Sequence, residues 1–207
     1  MFLLLKIKFW ITRVATNWFN LASGNTHKSE EFNQLFDPEV VRVKAAPEKL
    51  EIDETGKTFN ENAFLKAEAY FRKFKMPVVS DDSGLVVNAL PDELGVHSAR
   101  FGGEGLNDGE RCELLLERLR GLEDRSAYFV CVLCFYLSSE EIFFFEGRCN
   151  GSILRQMQGN AGFGYDPLFL PEGQSMSFAE DSDWKSSNGH RGRAVREAQR
   201  FFEGFFK

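Results

Sequence analysis

An α/β fold built on a mixed sheet is the class this sequence predicts, and three observations predict it. Segments with apolar residues at helical spacing alternate with short runs rich in Val, Ile, Phe and Tyr. Two such runs, residues 126–137 and 141–148, are parted only by Ser138-Ser139-Glu140, the pattern of a long hairpin. No internal repeat, low-complexity linker or composition break divides the chain, and 207 residues suffice for one domain with a sizeable core. The expected layout is an atypical extension over 1–16 and a single domain over 17–207.

Taken in order, 17–22 reads as a first strand, Ser23-Gly24-Asn25 as a turn, and 27–36 as a helix with Phe32, Leu35 and Phe36 on one face. A second strand covers 40–45. Asn60 is placed as the N-cap of a helix whose stripe is Ala63, Ala67, Tyr70, Phe71 and Phe74. Pro77 then permits the strand that delivers Asp81 and Asp82. There Ser80-Asp81-Asp82-Ser83-Gly84 reads as a strand end opening into a tight turn. Cys112, Leu115, Leu116 and Leu119 stripe a helix over 108–120 that Gly121 ends. The hairpin follows, then a short strand at 167–170. A last helix over 192–206 carries Ala194, Val195, Ala198, Phe201, Phe202 and Phe205.

Composition removes several function classes. A net charge of −6 argues against a broad nucleic-acid surface. Cys131 and Cys134 have C-x-x-C spacing, but residues three apart on a strand point to opposite faces, so their sulfurs do not converge on a metal. Reduced core thiols in a cytoplasmic protein fit the four cysteines. Residues 1–11 are apolar but interrupted by Lys6 and Lys8, too short and too charged to span a membrane. An upstream start codon, a surface-packed or disordered extension, and a membrane-surface anchor are the three readings of that segment, in that order of preference.

Four constellations carry chemistry beside the paired carboxylates, which suit a hard cation such as Mg²⁺. Ser23, Gly24, Asn25, Thr26, His27 and Lys28 stand at a strand-to-helix junction, where free N–H groups favour phosphate. Walker spacing is absent, so an ordinary capped helix start competes with that reading. Asp53 and Glu54 precede a helix that carries Lys66 about one turn inside; the plain alternative is a solvated charged loop. Gly162-Phe163-Gly164-Tyr165-Asp166-Pro167 can stack a planar base on Phe163, or simply turn into an edge strand. Lys185 and His190-Arg191-Gly192 stand before the last helix, where Arg191 can fork onto phosphate or a purine oxygen.

Each block alone is weak; six in the same order are not. Leu21-Ala22-Ser23-Gly24-Asn25 with Lys28, residues 59–66, Ser80 to Leu85, Gly95 to Phe101, Gly162 to Pro167 and His190-Arg191-Gly192 resemble the Ham1/RdgB/ITPA family of pyrophosphatases for non-standard purine nucleoside triphosphates. The resemblance covers about residues 17–206. It departs at Leu94, where the family usually has Pro, and at Gly189, where it usually has Ser. It implies an elongated, two-lobed, mixed β-sheet flanked by helices, the ITPase-like (Maf/Ham1) fold, with the substrate cleft between the lobes. It also implies a cytoplasmic homodimer that converts ITP, dITP and XTP to the monophosphate and pyrophosphate with Mg²⁺, with no nucleic-acid polymer and no membrane as partner.

By the same resemblance, Asp82 is the general base and a metal ligand. Asp81 holds the metal or water network beside it, and Glu54 or its neighbour Asp53 is a second acidic metal position. Ser23, Gly24, Asn25, Thr26, His27, Lys28 and Lys66 grip the phosphates, and Ser83 contacts substrate. Phe163, Gly164, Tyr165, Asp166, Lys185, His190 and Arg191 form the base-recognition side, where donors select a 6-keto purine over adenine. A binding module without catalysis and a Maf-like pyrophosphatase with pyrimidine preference are the competing readings.

Overall fold

The computed structural model describes residues 17–23 and 32–206. The extension 1–16 and the phosphate-loop positions Gly24, Asn25, Thr26, His27 and Lys28 lie outside the described residues. A single six-stranded sheet has the order β2-β1-β3-β4-β5-β6. Its strands are β1 (Trp18–Leu21), β2 (Arg42–Ala45), β3 (Val78–Val87), β4 (Ser126–Ser138), β5 (Glu141–Ile153) and β6 (Phe169–Pro171). β1 runs parallel to β2 and β3, whereas β3 through β6 pair antiparallel, so the sheet is mixed as expected. Among the described residues, the helices that flank it include α1 (Phe59–Phe74), α2 (Asp108–Arg118), α3 (Ser182–Asn188) and α4 (His190–Phe205). A helical turn covers residues 32–35.

Three apolar clusters make the core. On one face of the sheet, Phe19, Val79, Leu133 and Phe135 pack against Ala194, Val195, Ala198 and Phe202 of α4. On the other face, Val78, Val130, Val132 and Tyr136 pack against Ala63, Ala67 and Tyr70 of α1. Around the far ends of β3, β4 and β5, Leu85, Val87, Ala127, Phe129 and Ile153 meet Cys112, Leu115 and Leu119. β3 and β4 run through all three clusters, so the middle of β3 lies where the two halves of the molecule join. Cys131 and Cys134 fall in clusters on opposite faces, as strand alternation requires.

Several expectations change in the structure. Ser80 to Gly84 is not a turn: β3 continues to Val87, paired with β4 from Val78↔Tyr136 to Val87↔Ala127. Ten residues of ladder pairing outweigh the local turn preference of Asp, Ser and Gly. Gly84 serves close approach instead, since a Cβ there would lie 2.3 Å from the Gly95 carbonyl oxygen. The cap of α1 is Thr58 rather than Asn60: Thr58 Oγ1 accepts from Glu61 N at 3.1 Å, and Glu61 Oε2 accepts from Thr58 N at 3.0 Å. That reciprocal pair is a capping box. β5 runs on to Ile153 instead of ending at Arg148. Asp166–Leu168 forms a 3₁₀ turn ahead of the short strand β6. The last helix starts at His190, two residues early, and α3 before it had no periodic signal.

Gly147 of β5 sets how α4 meets the sheet. A Cβ there would lie 2.1 Å from His190 O and 2.3 Å from Ala194 N, so the first turn of α4 rests directly on bare backbone. Gly147→Ala is therefore expected to destabilise the protein by roughly 1–3 kcal/mol through overpacking. Gly204→Ala, where a Cβ meets open space in the same helix, should instead stabilise it by about 0.5–1 kcal/mol. Urea denaturation of the two variants measures both signs.

Candidate active site

Strand alternation sends the two aspartates of β3 to opposite faces. Val78, Ser80 and Asp82 face α1, where Ser80 Oγ donates to Ala63 O at 2.5 Å. Lys66 of α1 reaches Asp82 Oδ1 at 3.2 Å and Glu54 Oε1 at 2.8 Å. Lys66 stands two turns inside α1 rather than one, because the helix begins at Phe59. The loop that carries Glu54 is tied to the start of α1: Gly56 N donates to Asn62 Oδ1 at 2.8 Å, and Lys57 N to Glu61 Oε2 at 2.6 Å. Glu54 thus joins the cluster, and Asp53 stays exposed. Asp81 faces the other way, with its Oδ2 3.5 Å from Nη2 of Arg191 on α4. It does not share a face with Asp82.

The electrostatics follow from burial. Asp82 is 8% exposed, and burial pushes its carboxyl above the usual range; Lys66 offsets that only in part. Burial alone would lower Lys66, but the charges of Asp81, Asp82 and Glu54 hold its ammonium above the ordinary value. Asp82 Oδ2 and Ser83 Oγ are buried and short of a well-formed hydrogen bond among the described residues, although the Asn62 side chain approaches Asp82 and favours its ionised form. Such groups are expensive unless a ligand or ion completes them. Glu54 and Asp82 make a donor set of two carboxylates. That number suits Mg²⁺, which commonly takes one or two carboxylates and fills its remaining positions with water and phosphate oxygens. No cluster of three or more acidic, His or Cys ligands exists among the described residues.

Next to Asp82, a cavity of about 220 Å³ opens from Ser83 and Gly84. The glycine loop predicted to hold a base forms one wall. Gly162 has φ +78°, and a Cβ there would fall 2.1 Å from Asp166 Oδ2, so only glycine fits. Asp166 Oδ2 accepts from Phe163 N at 2.9 Å and from Lys185 Nζ at 2.5 Å. Burial raises the Asp166 carboxyl, and Lys185 works against it. Lys185 Nζ also sits 4.3 Å from the centre of the Phe163 ring, which stands 58% exposed at the rim. Tyr165 lines the cavity as well, and its hydroxyl donates to Ser98 O at 2.7 Å, which anchors the loop.

His190 lies at the back of the cavity, 4% exposed and stacked on Phe129 at 4.8 Å. Burial, with Arg191 and Lys185 nearby, holds its imidazole well below the ordinary range. Arg191 follows it on α4, and Phe32 lies 5.8 Å from its guanidinium carbon. Gly189 joins α3 to α4; a Cβ there would lie 2.4 Å from Lys185 O, so the departure to glycine keeps this junction tight.

Of the predicted residues that are described, the structure gathers Glu54, Lys66 and Asp82 in one cluster. It gathers Ser83, Phe163 to Asp166, Lys185, His190 and Arg191 round the adjoining cavity. Ser23 lies two residues past the end of β1 and is half-buried. Ser98, Asp108 and Arg111 also line the cavity and were missed. Asp108 and Arg111 carry no signal in the sequence beyond the polar first turn of an amphipathic helix. Gly147 likewise looks like any glycine.

The architecture is the ITPase-like α/β fold. Residues 19–201 match the model of the Ham1 family. The chain is 41% identical over 181 residues to a dITP/XTP pyrophosphatase of Desulfotalea psychrophila, covering 86% of this chain and 81% of that protein. It is 40% identical over 190 residues to a dITP/XTP pyrophosphatase of Treponema denticola, covering 89% and 97%. The Ham1 protein of Staphylococcus aureus superposes with a TM-score of 0.83 at 37% identity, over 90% of this chain and 98% of that one. The chain belongs to the Ham1 family.

The buried, neutral His190 has a consequence for stability. A folded-state value below the unfolded one means that the unfolded chain binds the extra proton. Stability is then full above about pH 6.5 and falls as pH drops below it, by up to roughly 1.4 kcal/mol per unit. Urea melts between about pH 7 and pH 5.5 should show that slope, and His190→Gln should flatten it.

Proposed function

We propose that this protein hydrolyses dITP, ITP and XTP to the monophosphate and pyrophosphate, as a cytoplasmic, Mg²⁺-dependent homodimer that clears such nucleotides from the pool. The observation that carries the proposal is the juxtaposition of the Glu54–Lys66–Asp82 cluster with a base-sized cavity, Ser83 being the neighbour of Asp82 and part of the cavity wall. The names of the similar proteins support the same activity. No helix among the described residues is long and apolar enough to cross a membrane.

In this proposal Glu54 and Asp82 hold Mg²⁺, which supplies charge neutralisation on the triphosphate and a Lewis acid when bound. Asp82 Oδ2, buried and not engaged by Lys66, takes the proton of the attacking water. Its raised affinity for protons, a result of burial, suits a base. Lys66 neutralises charge that grows on the pyrophosphate leaving group as the bond from the α-phosphorus to the bridging oxygen breaks. It is poised for this because it already bridges the two carboxylates. Ser23, with Gly24 to Lys28, binds the phosphate chain. Phe163 covers the base, and Lys185, His190 and Arg191 meet its 6-keto edge. Asp81 orients Arg191 from the opposite face of β3.

Asp82→Asn is expected to keep the fold and lower kcat by roughly 10²–10⁴-fold. Pyrophosphate release from ITP, XTP, dITP, ATP, GTP and dTTP, with Mg²⁺ and with chelator, checks the assignment. Turnover of ITP and XTP that disappears with chelator, with ATP and GTP poor, is the expected outcome. A preference for dTTP would place the chain with the pyrimidine-selective pyrophosphatases instead.

A further inference from the structure

Arg111 is the residue in the cavity wall that the proposed function leaves without a task. It belongs to the first turn of α2 and is half-buried. Its Nε donates to the carbonyl oxygen of Ala99 at 3.1 Å, which pins the guanidinium against the 3₁₀ turn Gly95–Arg100. That turn is itself rigidly held. Ser98 Oγ bridges to Leu85 and Gly95, and Ser98 O receives the Tyr165 hydroxyl. Arg111 makes no ion pair among the described residues. The carboxylates of its own helix turn are engaged elsewhere: Asp108 Oδ2 accepts from Gly164 N at 2.6 Å, and Glu110 Oε2 from Asn107 N at 2.7 Å. Arg111 Nη1 is buried with no hydrogen-bond partner among the described residues. A fixed cation with an unused, desolvated N–H in the wall of a ligand cavity is a waiting donor.

We infer that Arg111 is a specificity-determining residue that donates to the 2-keto oxygen of a xanthine base and so favours XTP over ITP. The inference rests on the proposed pyrophosphatase reading and adds to it a choice among its substrates. The chemistry at the purine 2-position is what separates the candidates. Xanthine presents a carbonyl acceptor there, hypoxanthine only a C–H, and guanine an amino donor. Arg111 therefore rewards xanthine, is left unpaired by hypoxanthine, and opposes donor to donor with guanine. Xanthine is also acidic enough to carry negative charge near neutral pH, which strengthens a guanidinium contact. A guanidinium that rejects the guanine amino group answers what recognition of the 6-keto oxygen alone leaves open, since guanine has that oxygen too.

The test is kcat/KM for XTP, ITP and GTP on the full chain, for wild type, Arg111→Met and Arg111→Gln. The ratio of XTP to ITP is expected to fall roughly tenfold or more in Arg111→Met, and by less in Arg111→Gln, which keeps an N–H donor. The ratio of GTP to ITP should rise in Arg111→Met. An equal loss on all three substrates would overturn the inference, because it would put Arg111 on the phosphates, the ribose or the fold. Titration of the wild type with XMP, IMP and GMP gives an independent readout needing no variant. Affinity in the order XMP, IMP, GMP supports the inference, and IMP binding as tightly as XMP sinks it. Should the wild type bind these monophosphates in that order and yet release no pyrophosphate from XTP or ITP, the pyrophosphatase proposal fails while the role of Arg111 in base choice stands.

Discussion

Two carboxylates buried in the central strand must each meet a cation, and strand geometry turns them to opposite faces. Asp82 is met by Lys66 from α1, and Asp81 by Arg191 from α4. Each pair leaves neither buried charge uncompensated, and so fixes where α1 and the start of α4 sit against the strand. The two ends of the site are thereby placed by one dipeptide. Its even-numbered member organises the cluster with Glu54, and its odd-numbered member organises the start of α4, where His190 and Arg191 face the cavity.

Close backbone approach is the second constraint. Gly84 admits the 3₁₀ turn against β3, Gly147 admits α4 against β5, and Gly162 admits the Asp166 carboxylate beneath the Phe163 loop. None of these is a flexible hinge. Each removes a Cβ where two pieces of backbone or a buried charge need the space. The cavity wall is therefore built from main chain and short contacts, with polar side chains fixed by one bond and free at another. Asp166 and Lys185 are spent on each other, whereas Asp82 Oδ2, Ser83 Oγ, Arg111 Nη1 and His190 Nδ1 are buried without a well-formed hydrogen bond among the described residues.

Much of this was legible in the sequence. Apolar stripes placed α1, α2 and α4, and the two long runs parted by Ser-Ser-Glu placed the β4–β5 hairpin. The turn chemistry of Asp-Asp-Ser-Gly was misleading, because local preference is weak against ten paired residues of a central strand. Asn60 was preferred to Thr58 as a cap, although Thr58 with Glu61 three residues on spells a capping box. Asp53 and Glu54 could not be told apart by position, since only the fold of the loop decides which carboxylate turns toward Lys66. Tyr165 lines the cavity, and the tie from its hydroxyl to Ser98 had no local signal, since it spans 67 residues.

The sequence by itself determined the elements, the mixed sheet, the opposite-facing cysteines and the residue types that carry charge to the site, because periodicity and side-chain chemistry are local properties. It also carried the order of blocks by which the family is known. Contacts between distant segments settled that Ser80 to Gly84 stays in a strand, so that Asp81 and Asp82 part company, that Glu54 rather than Asp53 joins Lys66, and that Arg111 stands in the cavity wall. Those outcomes depend on which backbones pass within contact distance of one another, and such distances are set by packing across segments far apart in the chain.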